Sequence, residues 1–201
     1  MSENINIEGT EVPVVYLEDL KLIPWNDPRL ARPPSLFDFE NPQNDPLLFH
    51  KHMHRTMVDL GGVGLSANQV GMDMRFFTMG IQSPKTGEIF TRTCFNPELL
   101  GVSEEEELAD EGCLSLPGLV LKVKRPKECD LRYTNEHGEE KTEHFMGIAA
   151  RVVLHEYDHM LGVNFMTRVS KLKLERAFKK LNKKSRQIKR DIENGVLRQG
   201  S

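Results

Sequence analysis

The sequence predicts an α+β fold: antiparallel β-sheets packed around a central His-Glu-x-x-His helix at His155-Glu156-Tyr157-Asp158-His159, plus a C-terminal amphipathic helix. Three observations predict it. Five strand-like runs (Arg75 to Met79, Ile89 to Phe95, Leu119 to Val123, Asp130 to Thr134 and Lys141 to Phe145) precede that helix without alternating with helices, the order of an α+β chain. The apolar run from Ile148 to Leu154, broken only by Arg151, suits a helix buried on most sides. Leu174, Phe178, Leu181 and Ile188 recur at helical spacing among lysines and arginines.

Composition sets the outer limits. The chain of 201 residues fits one domain with an appendage, and its 28% charged and 38% hydrophobic residues place it in the soluble globular class. Met1 to Val12 contains Glu3, Glu8 and Glu11, no Lys or Arg, and no apolar run of signal-peptide length, and no stretch reaches the length of a membrane span. Three cysteines, Cys94, Cys113 and Cys129, are an odd number that fits free thiols in a reducing compartment, so a cytoplasmic monomer is expected. The net charge of -3 conceals a segregation: from Arg168 to Ser201 there are twelve Lys or Arg against Glu175, Asp191 and Glu193. The acidic balance falls on the other residues, most densely at Glu104 to Glu107, Asp110 and Glu111. A catalytic domain over residues 1–168 and a basic helix and tail over 169–201 follow.

Within residues 1–45, Pro13, Pro24, Pro28, Pro33, Pro34 and Pro42 exclude a long helix and predict an extended, wrapping arm. Asn44 or Asp45 can cap a helix from Pro46 whose apolar positions are Leu48, Phe49, Met53, Met57 and Leu60, ending at Gly61-Gly62. His50 and His54 share a helix face there, but no further ligand type follows at ligand spacing, so a helix-face role outweighs a metal pair. Gly62 to Gly71 is too rich in small residues for an ordinary helix or strand. It lacks the spacing of a phosphate loop and reads either as a turn or as a backbone segment facing a ligand and delivering Gln69. Turns are expected at Ser83-Pro84, Asn96-Pro97, Arg125-Pro126 and Asn135 to Gly138.

The chemistry centres on His155 and His159. Four residues apart on a helix, they present both imidazoles to one divalent ion, with Glu156 beside its open position as a general base. A third protein ligand is needed. Cys94 and Cys129 sit in apolar strand-like runs and read as buried hydrophobes. Cys113 lies in the turning segment Glu111-Gly112-Cys113-Leu114-Ser115 and fits as the third ligand, with a covalent nucleophile as its rival role. The basic helix has two readings, a solvated face or an attachment to a polyanion through phosphate contacts.

Gly62-Val63-Gly64-Leu65-Ser66-Ala67-Asn68-Gln69, Glu111-Gly112-Cys113-Leu114-Ser115 and His155-Glu156-Tyr157-Asp158-His159, in that order, resemble the three signatures of the peptide deformylases. The likeness runs from about Asp27 to Thr167. It implies release of formate from the N-terminal formylmethionine of nascent polypeptides by attack of a metal-bound hydroxide. It assigns Cys113, His155 and His159 to the metal, Fe2+ natively with Zn2+ or Ni2+ as alternatives, and Glu156 to proton transfer. Gln69 and the backbone N–H of Leu114 would stabilise the oxyanion. The backbone of Val63, Gly64 and Leu65 would pair with the peptide as an added strand. Val63, Leu114, Ile148 and Val152 would line the methionine pocket, while Glu111 and Arg125 would orient a ligand histidine. In the family the C-terminal helix can anchor to the ribosome. Two departures stand out: Ser66, a small residue where alanine is usual, and Arg151, where the family tends to place apolar pocket residues.

Two rivals fail on residues. A zinc peptidase needs a later His, but position 165 is Phe and no His follows His159; a downstream Glu is first met at Glu175, on the basic helix. An inactive RNA-binding homologue would be expected to have lost a ligand, Glu156 or Gln69, and none is missing.

Overall fold

A computed structural model describes residues 4–7, 10–13, 17, 20–82 and 86–193. The expected turn at Ser83-Pro84 and the tail beyond Glu193 lie outside the described residues.

The arm holds one element that the proline content does not announce, an antiparallel pair of strands β1 (Asn4–Ile7) and β2 (Thr10–Pro13). From Leu20 onward it runs along the core and contributes buried side chains. Leu30 and Phe37 are buried, Arg75 N donates to Ser35 O at 2.7 Å, and Phe37 exchanges both backbone bonds with the side chain of Asn96. At Gly162, φ is +69° and an added Cβ would lie 2.7 Å from the Arg32 backbone, so glycine there lets the arm cross the end of the central helix.

Helix α1 (Pro46–Asp59) starts where expected, with the Asp45 carboxylate accepting from Leu47 N at 2.9 Å. Its buried face is Phe49, Met53 and Met57; Leu48 and Leu60 remain exposed. The main sheet comprises β3 (Gly64–Ser66), β4 (Phe76–Gln82), β5 (Ile89–Val102), β8 (Glu128–Thr134) and β9 (Glu140–Met146), ordered β3-β4-β5-β8-β9 and antiparallel throughout. Alternation along β4 sends Phe76 into the core with α1 and Phe77 and Met79 into the core with α2 (Ile148–Met160), so the sheet has a buried layer on each face. Phe37, Phe49, Phe76 and Phe95 interlock on the α1 side, with ring centroids 4.7 Å apart for Phe76 and Phe95.

Two sequence readings change. Asn96-Pro97 is not a turn between strands: Asn96 takes φ +48° and the register of β5 slips between Phe95 and Glu98, so one long strand bends through an irregularity. The acidic run also contains a strand, β6 (Glu106–Glu111), paired with β7 (Leu121–Pro126) in a separate two-stranded sheet. Lys124 pairs with Glu106 and Lys122 with Asp110 across it, so cross-strand charge replaces the apolar alternation by which a strand is normally read.

Helix α3 (Lys171–Glu193) packs Leu174, Ala177, Phe178 and Leu181 against Leu116, Leu119, Leu121, Val123 and Phe165. Ile188, read as part of the same stripe, is exposed, as are all side chains from Asn182 to Arg190. No described helix is long and apolar enough to cross a membrane.

Replacing Phe95, fully buried in the ring cluster, with alanine is expected to cost about 3–5 kcal/mol in urea unfolding; a loss below about 1 kcal/mol would show that these rings are not the core of that face.

Candidate metal centre

The turn of β3 into the next segment sets up one wall. A Cβ on Gly64 would lie 2.4 Å from Oε1 of Glu156, so only glycine lets the strand edge lie against that carboxylate. Gln69 sits on the following short turn, its Oε1 accepting from Ser66 N at 2.9 Å and lying 2.9 Å from the Ser66 hydroxyl. Its amide nitrogen points at Cys113 Sγ (3.3 Å) and Ser115 Oγ (3.0 Å). Ser66, notable in the sequence only as a small residue where alanine is usual, is thus one of the groups that hold Gln69. Asn68 donates to the carbonyl of His159 at 2.9 Å and ties this turn to α2.

The opposite wall is the segment after β6. Cys113 Sγ lies 3.5 Å from His159 Nε2, and ligand atoms of Cys113, His155 and His159 all fall within 4.8 Å of one another. The Nδ1 of His155 is 3.2 Å from Glu111 Oε2, which turns Nε2 toward the cluster. This donor set suits a divalent ion: one sulfur and two imidazoles converge, with Glu156 Oε2 and His159 Nδ1 buried and lacking any hydrogen-bond partner. His50 and His54 do not form a comparable centre. His50 Nδ1 bonds the hydroxyl of Thr93 at 2.8 Å, and among the described residues the Cys113 cluster alone gathers three such ligand groups.

Charges around the cluster are heavily perturbed. Burial raises the Glu156 carboxyl to about 7, against the pull of His155 and Arg125. Burial, with His155 and Arg125 nearby, drops His159 to about 3, so it stays a neutral ligand. Burial would also lower His155, but hydrogen bonding to Cys113 and Glu111 outweighs it and lifts the imidazole to about 10 without metal.

Beneath the ligands lies a network that sequence reading found only in part. Arg125 donates to both oxygens of Glu111 (2.8 and 2.9 Å), to Asp158 Oδ2 (2.7 Å) and to the carbonyl of Leu154 (3.3 Å). Asp158 also receives Arg168. Arg151 is among the residues that line the cavity over the cluster, but its donors are spent on the facing hairpin. Its guanidinium bonds Glu111 Oε1 at 2.6 Å, the Val123 carbonyl at 3.0 Å and the Glu107 carbonyl at 2.8 Å. Asp158 and Arg168 were missed because nothing in their spacing marks them as partners of Arg125.

A cavity of about 530 Å³ opens over the cluster, lined among others by Val63, Gly64, Leu114, Ile148, Val152 and Glu156. Val152 is buried within it, whereas Val63 and Ile148 stand half-exposed at its rim. The Leu65 side chain lies in the α1 core instead, leaving that residue only its backbone to offer.

A His-Glu-x-x-His helix completed by a cysteine, with a buried carboxylate over an apolar cavity, defines a metal-dependent hydrolase. Residues 20–175 match the family model for polypeptide deformylase. A peptide deformylase of Pseudothermotoga lettingae is 47% identical over 116 residues, covering 58% of this chain and 64%, just under two thirds, of that relative. One from Thermotoga maritima is 40% identical over 140 residues, 70% of this chain and 82% of the other. The Met-Ala-Ser-bound structure of the class I type b enzyme from Acinetobacter baumannii superposes with a TM-score of 0.67 at 29% identity, over 75% of this chain and 98% of that one. The chain belongs to the peptide deformylase family.

Burial pushes the Cys94 thiol well up and raises that of Cys129 to about 12, so neither ionises near neutral pH. In the folded, metal-free protein a thiol-disulfide reagent at about pH 8 is expected to modify only Cys113, and bound metal to protect it. Fast reaction of two thiols, or no protection by metal, would contradict this placement.

Proposed function

We propose that this centre removes the formyl group from N-terminal formylmethionine of nascent polypeptides, with Cys113, His155 and His159 holding one divalent ion. The observation that carries the reading is the Glu156 carboxylate, buried and lining the same cavity as Cys113 and His155, with one oxygen free of partners. Held by these residues, such an ion would supply Lewis acidity to a water and to the formyl oxygen.

The chain's own groups account for the rest. Glu156, whose carboxyl is raised to about 7, accepts a proton from the attacking water at neutral pH. The water oxygen bonds to the formyl carbon, the C–N bond breaks, and Glu156 delivers the proton to the departing amine; formate and a free N-terminus result. The Gln69 amide, held by Ser66, and the backbone N–H of Leu114 are the donors assigned to the developing oxyanion. The edge strand β3, with Val63 just before it and Gly64 and Leu65 within it, takes the peptide backbone, and Val63, Leu114, Ile148 and Val152 receive the methionine side chain. The Met-Ala-Ser held by the Acinetobacter baumannii enzyme supports a peptide of this kind. Fe2+ is the ion we assign, with Zn2+ or Ni2+ as substitutes, since thiolate and imidazole together suit each of them. The exposed Lys183, Lys184, Arg186, Lys189 and Arg190 of α3 fit a salt-sensitive anchor on ribosomal phosphate in the cytoplasm.

Iron-loaded protein is expected to release formate from formyl-Met-Ala-Ser, and Glu156→Ala to retain metal while losing about 10²–10⁴-fold in rate. Inert iron-loaded parent protein would remove the assignment. Gly64→Ala forces a methyl group against Glu156 Oε1, and a kcat loss on the order of a hundredfold with metal retained is expected. Unchanged kcat would mean that the carboxylate is not held where it acts.

A further inference from the structure

Arg151 is the one charged residue in the turn of α2 before His155, and it is almost fully buried. Such a guanidinium persists only if its donors are used. Here they reach three groups on the facing hairpin: the Glu111 carboxylate and the carbonyls of Glu107 on β6 and Val123 on β7. The carboxylate of Glu111 is thereby divided. Oε1 accepts from Arg125 Nε and Arg151 Nη1, and Oε2 accepts from Arg125 Nη2, leaving its second position for His155 Nδ1. Arg125 alone could grip the carboxylate from one side. The bond from Arg151 comes from the helix that carries His155, and it stops Glu111 from turning about its own axis.

We propose that Arg151 is a positioning residue of the metal centre: by fixing Glu111 from the ligand helix, it sets the tautomer and orientation of His155 and so the affinity for the ion. The inference rests on His155 being a ligand. A substitution at 151 then weakens metal binding in protein that is still folded, although Arg151 is not one of the three ligand groups and its donors are spent on Glu111 and two hairpin carbonyls.

The test uses Co2+ as probe, with affinity read from its thiolate charge-transfer band in competition with a chelator, alongside circular dichroism of the metal-free protein. Arg151→Leu, which keeps apolar bulk but removes all three bonds, is expected to bind Co2+ about 10–100-fold more weakly. Arg151→Lys, which keeps the charge and one bond to Glu111 without the fork, is expected to fall between that variant and the parent. Parent-like Co2+ affinity in folded Arg151→Leu overturns the proposal; a purely structural role would lower the unfolding midpoint and leave that affinity in place. Should Arg151→Leu fail to fold, Arg151→Lys decides, and parent-like affinity there overturns it equally. His155→Ala serves as the control: if its Co2+ affinity also equals the parent's, the ligand assignment itself has failed, not the role of Arg151.

Discussion

The Glu111 carboxylate is the interaction on which the rest of the structure depends. It closes β6, two residues before Cys113, and its partners come from β7 through Arg125 and from α2 through Arg151 and His155. One buried anion therefore joins the hairpin that delivers the sulfur to the helix that delivers the imidazoles. Its pKa is held down to about 2: burial would raise it, and hydrogen bonds from His155 and Arg125 more than compensate. Buried ion pairs of this kind add little net stability, because desolvation consumes the Coulombic gain. What they fix is geometry, and a metal site tolerates little error in geometry.

A second carboxylate, on the helix itself, is treated in the opposite way. Glu156 is as buried as Glu111, yet its Oε2 has no partner and the group rises to about 7. The difference lies in the neighbours: Glu111 is bonded directly by two guanidinia, while Glu156 faces the edge of β3, where Gly64 leaves room for the carboxylate, and burial outweighs the pull of His155 and Arg125. The two environments push the protonation of these carboxylates apart, holding one as a permanent anion and leaving the other able to gain or lose a proton near neutral pH. Asp158 belongs with the first kind, paired to Arg125 and Arg168 beneath the histidines.

How much of this was legible in the sequence follows from how far apart the interacting groups lie along the chain. The central helix, its cap-bounded neighbour α1 and most strands were legible because periodicity is local. Cys113 could be placed because a pair of helical histidines demands a third ligand. β6 was not legible, since its side chains answer to lysines on β7 and carry no alternation of their own. Arg151 read as an intruder in an apolar pocket; its partners, the carbonyls of Glu107 and Val123, are backbone groups that every residue possesses. Ser66 failed for a related reason. Its smallness was visible, but its hydrogen bonds to Gln69 depend on a turn that only the fold defines.

The C-terminal helix shows the same limit from another side. Its sequence carries one amphipathic stripe, but the structure divides it near Leu181. Up to that point the stripe completes the apolar cluster that contains Cys113, and Leu181 stands close enough to Gly118 that a Cβ there would meet it at 3.1 Å. Beyond it, Ile188 continues the spacing but is exposed, and no described residue of the apolar cluster packs against it. Periodicity records that a face is apolar, not how far the surface it covers extends. The first half of α3 thus shares a core with the loop that carries Cys113, while the second half presents its cations free of that constraint.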